Sequence, residues 1–236
     1  MKKIIALVLA MALCLVVFVS CADNNANEAT LAEFTQMYKN SNPTKTVSKT
    51  TQTFDNLTFE STKILTIGSV TDSEGTKDAV IYDVLEEQLR SIEDGGKDEE
   101  IKDTIETVRK VTLYVEGKGT KNIDPETRKA VGPWNSKNTI DIPARGDIAI
   151  FLDSNYITNC TYENDTLSFV VPANGTLSVF GKQIDSNVSV TIVKEGVIIT
   201  GITLKYSSPE NKETGVYASA VEINITYSYD NEPITF

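Results

Sequence analysis

The side chains that most often carry catalysis are scarce in this sequence. It has no histidine, which removes the commonest general base, the usual partner of serine and cysteine nucleophiles, and the commonest zinc ligand. Cys160, within Asn159-Cys160-Thr161, has no neighbour in sequence that would activate it, and a lone cysteine of this kind reads as a small buried hydrophobe. Acidic residues are plentiful, 33 in all, so composition permits a glycosidase-like carboxylate pair, but no pair stands out. The run Glu93-Asp94-Gly95-Gly96-Lys97-Asp98-Glu99-Glu100 lacks the alternating ligand spacing of a calcium loop and reads as a solvated acidic segment. No glycine-rich phosphate loop occurs, and Arg145-Gly146-Asp147 is a tripeptide short enough to arise by chance. These features imply no metal, no cofactor and no enzymatic role.

The elements that would position a site are mostly strands. Thr30-Leu31-Ala32-Glu33 is a capping box, and Leu31, Phe34, Met37 and Tyr38 follow at helical spacing until Asn40, Asn42 and Pro43 stop the pattern. One short amphipathic helix is expected from about Leu31 to Lys39. Residues 44–54 are threonine-rich and suit a pleated surface. Leu57, Phe59 and the run from Ile64 to Ile67 continue the strand character up to a turn at Asp72-Ser73-Glu74-Gly75. Residues 78–93 fit strand or helix, with a lean to strand. Ile101, Ile105 and Val108 fall at helical spacing. Val111, Leu113 and Val115 alternate towards a break at Glu116-Gly117-Lys118-Gly119, and residues 120–146, with Pro125, Pro133, Trp134 and Pro143, read mainly as loop.

The C-terminal third is the clearest part. Leu167, Phe169 and Val171 share one face, as do Val188, Val190 and Ile192. After a turn at Glu195-Gly196, Ile198, Ile202, Leu204 and Tyr206 are expected on one face, with Thr200 completing the alternation. Val221, Ile223, Ile225, Tyr227 and Tyr229 then alternate with Glu222, Asn224, Thr226 and Ser228. Period-2 patterning with one wet face is the mark of antiparallel sheet. The expected fold is mainly β (α+β): a single antiparallel sheet, an N-terminal helix and one or two short helices.

The N-terminus carries a different kind of signal. Met1-Lys2-Lys3 precedes an apolar stretch from Ile4 to Val19, which is too short to span a bilayer comfortably and has the layout of a secretory signal. Phe18-Val19-Ser20-Cys21 resembles the lipobox of bacterial lipoproteins. That resemblance implies cleavage before Cys21 and acylation of its thiol, and so attachment to a membrane outside the cytoplasm. Two acyl chains anchor stably where one does not. The chain then divides into a signal peptide (1–20), a lipidated cysteine with a polar tether (21–29) and one β domain (30–236). Removing the signal leaves 20 basic and 33 acidic residues, net −13, a balance unsuited to nucleic acid or anionic lipid surfaces. With Cys14 in the signal and Cys21 acylated, Cys160 has no disulfide partner. Six Asn-x-Ser/Thr sequons, at Asn56, Asn159, Asn164, Asn174, Asn187 and Asn224, follow from an Asn- and Thr-rich composition. They would become glycan sites if the chain were instead a eukaryotic secreted protein.

The layout of anchor, helix and long meander, seen in the segments Leu167–Gly181 and Val188–Tyr206, resembles the LolA-, LppX- and LprG-type lipoprotein-carrier superfamily. The resemblance implies a strongly curved sheet forming an incomplete barrel, helices plugging its mouth and a cavity for acyl chains. Candidate cavity residues are Leu204, Tyr206, Ile223, Ile225 and Tyr227. Taken singly, each of them reads first as part of a filled core, which would leave a structural or protein-interaction domain of the cell envelope. No protein partner is named by the sequence.

Overall fold

The computed structural model describes residues 29–54, 57–92, 102–137, 148–149, 157–173, 178–179, 182–183, 186–208, 210, 218–230 and 234. The signal peptide, Cys21, the tether up to residue 28, the acidic run at residues 93–100, Arg145-Gly146-Asp147 and Phe180-Gly181 lie outside them.

A helix, α1 (residues 29–40), leads into fourteen strands. These are β1 (Lys45–Phe54), β2 (Leu57–Asp72), β3 (Gly75–Ile92), β4 (Lys102–Val115), β5 (Gly119–Ile123), β6 (Ala130–Asn135), β7 (Ile148–Ala149), β8 (Thr158–Glu163), β9 (Thr166–Val171), β10 (Ser178–Val179), β11 (Lys182–Gln183), β12 (Val188–Glu195), β13 (Ile198–Ser208) and β14 (Ser219–Ser228). Eleven of them form one curved, open sheet in the order β6-β5-β4-β3-β2-β1-β14-β13-β12-β9-β8, and β11-β10-β7 form a small second sheet. The pairings are antiparallel throughout. The chain therefore meanders outward from β1 to β6, passes to the far edge at β8, and meanders back until β14 closes against β1. The mainly-β expectation, with a single open sheet and an N-terminal helix, holds.

The turns follow the residues that permit them. Gly75, Gly117 and Gly196 take positive φ at the three expected hairpins. Gly119 (φ 88°) has a second constraint, because a Cβ there would strike the backbone carbonyl of Asn135 on β6.

Four expectations are corrected. The helical spacing around Ile105 and Val108 belongs to β4, whose long pairing with β3 runs from Ala79↔Val115 to Ile92↔Lys102. Ile105 and Val108 stand on opposite faces there and both are exposed, so no single helical stripe exists. Within residues 120–146, β5 and β6 are strands, not loop. The third correction is on β13. The register against β12 jumps from Val193↔Gly201 to Lys194↔Ile199, a bulge at Thr200 that turns Ile199 inward in place of Ile198. The last is small: α1 runs slightly past the expected 31–39.

The two core clusters lie on opposite faces of the sheet, one in each half. On the face under α1, called the inner face here, β9, β12, β13 and β14 contribute one core with Leu31 and Phe34 of the helix. Unbroken register carries side-chain parity from β14 through β1, β2 and β3 to β4. By that parity Ala79, Val111, Leu113, Val115 and Ile123 point to the outer face. There they form a second core with Ile234 near the C-terminus, flanked by Trp134.

Candidate functional site

The inner face is built from alternation. On β14, Ser219, Val221, Ile223, Ile225 and Tyr227 are buried, and the residues between them are exposed or half-exposed. Directly across on β13 lie Tyr206 opposite Val221, Leu204 opposite Ile223 and Ile202 opposite Ile225. Val190 and Ile192 extend these rows on β12 and Phe169 and Leu167 on β9. All five sequence-predicted cavity residues thus share one face. Leu204 (0 % exposed), Ile223 (2 %), Ile225 (3 %) and Tyr227 (6 %) sit inside this core, and Tyr206 packs half-buried against it.

Helix α1 crosses the strands at one end of this face. Near its start, Phe34 meets Tyr162 of β8 edge-on at 5.7 Å between centroids. The Lys194 ammonium lies 5.6 Å from the Phe34 ring and 5.7 Å from the Tyr162 ring, and pairs with Glu33 at 3.1 Å. The Glu33 carboxylate raises the Lys194 pKa, against the opposing pull of burial. Further along, Tyr38 faces Tyr227 closely enough to disfavour its phenolate. After α1, Thr44 donates its amide to Ser228 at the end of β14. The helix is therefore pinned from the β8 edge to the β14–β1 seam, at the ends of β12 and β14 where the chain leaves both strands.

Beyond that seam β1 lines the inner face with polar side chains. Thr46 and Ser48 of β1 are buried opposite Tyr227 and Ile225, and Gln52 donates to the Ser219 hydroxyl at 3.2 Å. The hydroxyls of Ser48 and Tyr227 are shut off from solvent and have no hydrogen-bond partner. Burial, aided by Tyr38 and Tyr229, pushes the Tyr227 phenol far above its usual pKa and keeps it protonated. The sequence reading assigned 44–54 to a strand but did not single out Ser48, because its consequence depends on what β14 places beside it.

Elsewhere the chemistry is structural. Burial pushes the Cys160 thiol up, away from the thiolate a nucleophile needs. On the outer face, Asp83 accepts from both Nε and Nη2 of Arg109 (2.9 and 2.7 Å) and from Nη1 of Arg128 (2.9 Å). Arg128 reaches it from a turn in which it holds a left-handed backbone, φ 58°, with its amide donating to Asp124. A small polar cleft of about 90 Å³ opens between Thr44, Lys45, Thr66, Ile67, Ser228 and Asp230, too small for a lipid. Among the described residues no group of three or more Cys, Asp or Glu is placed to hold a metal ion. No family model matches the chain, and no curated protein matches it.

Proposed function

We infer that the protein is an extracytoplasmic lipoprotein, held to the membrane by acylated Cys21, that shelters a lipid or another apolar ligand against the inner face of its open sheet. The observation that carries this reading is the mismatch between the apolar face and its helical cover. A twelve-residue helix is about 18 Å long and 10 Å wide. Strands β12 to β14, of 8 to 11 residues, run roughly 26–37 Å beneath it. Lying across them at one end, α1 spans only part of their length. The far band, with Val171, Val188, Tyr206 and Val221, is apolar as well and is shielded from water by parts of the chain other than α1; a ligand there takes the place of that cover, and an acyl chain is an occupant of fitting shape. Binding would be passive, each Å² of apolar surface withdrawn from water contributing about 25 cal/mol.

A second reading rests on the near-complete burial of Leu204 and Ile223. It takes the face as a filled core and the protein as an envelope interaction domain. Native mass spectrometry of the chain from residue 25 onward, expressed in bacteria and gently purified, separates the two. Added mass in the lipid range that is lost on organic extraction is the expected result. A clean unliganded mass that does not shift with membrane lipid extract would leave the second reading.

A further inference from the structure

On the inner face, Thr46 stands directly opposite Tyr227, and Ser48 directly opposite Ile225. Ser48 and Tyr227 are therefore diagonal neighbours across the β1–β14 seam, with Cβ atoms roughly 7–8 Å apart or less. Each side chain is more than nine-tenths buried and each hydroxyl lacks a partner. A buried hydroxyl left without a partner is costly, and two side by side on one face are uncommon in a native interior. They border the apolar rows of Ile223, Ile225 and Leu204. The seam thus sets two hydrogen-bond donors at the edge of a wholly apolar face, closed off from solvent at the end that α1 covers, so a ligand reaches them as α1 gives way. Such a margin suits a molecule with long apolar chains and a neutral acceptor at their root.

We propose that Ser48 and Tyr227 hold the ester carbonyls of an acylglycerol-type lipid whose chains lie along β12–β14, deepening the ligand-binding reading above, on which it rests. A carboxylate fits less well. The cation that shares this face opposite Ser48 is Lys63, which is half-exposed and already faces Glu86 at 3.7 Å. A buried anion would therefore lack a committed counter-charge. Tyr227, kept protonated by its surroundings, remains a donor across the physiological pH range.

The test uses the full chain, purified in detergent, with two probes: 1,2-dioleoylglycerol and its ether-linked counterpart, which has the same chains and no carbonyls. Binding is read by native mass spectrometry for the wild type, Ser48→Ala, Tyr227→Phe and the double variant. The expected result is a wild-type preference for the ester lipid of roughly tenfold, as two neutral hydrogen bonds supply. Each single variant should reduce that preference and the double variant abolish it. Unliganded Tyr227→Phe should melt about 2–4 °C higher, because an unpaired buried hydroxyl has gone. An ester preference retained in the double variant would overturn the proposal, and so would equal wild-type binding of both lipids, although ligand binding itself would then stand. Wild-type binding of neither lipid would overturn the proposal, and with no mass shift from membrane lipid extract it would remove the ligand-binding reading too.

Discussion

Asp83 shows how much one carboxylate can organise. It is buried on the outer face beside the second core and ties β3 to β4 through Arg109, and to the β5–β6 connection through Arg128. The hydrogen bonds from Arg109 hold its carboxyl below the usual aspartate range, burial opposes this, and Arg128 adds to the lowering. A carboxylate with a depressed folded pKa stabilises the protein at pH values above its unfolded pKa. That stabilisation fades as pH falls from there through the folded value, hence below about pH 4. Asp83→Asn should therefore lose about 1–3 kcal/mol at pH 7, the lower end being favoured because both guanidiniums stay partly in water. The difference between variant and wild type should shrink on acidification from pH 5 to pH 2.5, as read by urea unfolding at each pH. None of this was legible in the sequence, where Asp83, Arg109 and Arg128 lie far apart and nothing marks them as partners until the β3–β4 register brings the first two together.

At the scale of elements, α1 and the hairpins carry the clearest expectations. Phe34 is fully buried and bridges the helix to Tyr162 and Lys194, so Phe34→Ala should cost about 3–5 kcal/mol. Amide exchange should accelerate in residues 29–40 more than in β3–β5. Gly119→Ala meets both an unfavourable φ and the Asn135 carbonyl. It should destabilise by more than about 1 kcal/mol, with the β5–β6 amides losing protection first. Legibility differed between elements for a physical reason. β9, β12 and β14 are apolar on one face and polar on the other, and period 2 is plain in their sequences. β3 has apolar residues on both faces, Val80 and Tyr82 inward and Ala79 and Ile81 outward, because the sheet changes its buried side nearby. Its sequence therefore carries no clean period. The bulge on β13 was hidden for a similar reason, since Ile198 and Ile199 are equally apolar and only the pairing decides between them. Of the candidate site, the shared face of Leu204, Tyr206, Ile223, Ile225 and Tyr227 could be read from alternation alone. The hydroxyl pair could not.

The whole molecule has two cores on opposite sides of one sheet, joined through β1 and β2, and the inner face of β1 carries Thr46, Ser48, Thr50 and Gln52. Such a seam transmits less packing than either core, and the halves should differ in local stability. Ile234 belongs to the outer-face core alone. Ile234→Ala should cost about 2 kcal/mol or more and speed amide exchange in β3, β4 and β5 while leaving β12 and β13 nearly unchanged. Uniform loss of protection across both halves would mean that the sheet unfolds as a single unit.

The partnership of β1 with β14 also sets a timetable. Thr44, at the threshold of β1, bonds to Ser228, 184 residues further along the chain, so the central pair of the sheet cannot form until nearly the whole polypeptide has emerged. Up to that moment β1 has β2 on one side and an unfilled edge on the other, and the inner core lacks its β14 row. A chain built this way completes its central strand pair, and with it the inner core, only when its last long strand is in place.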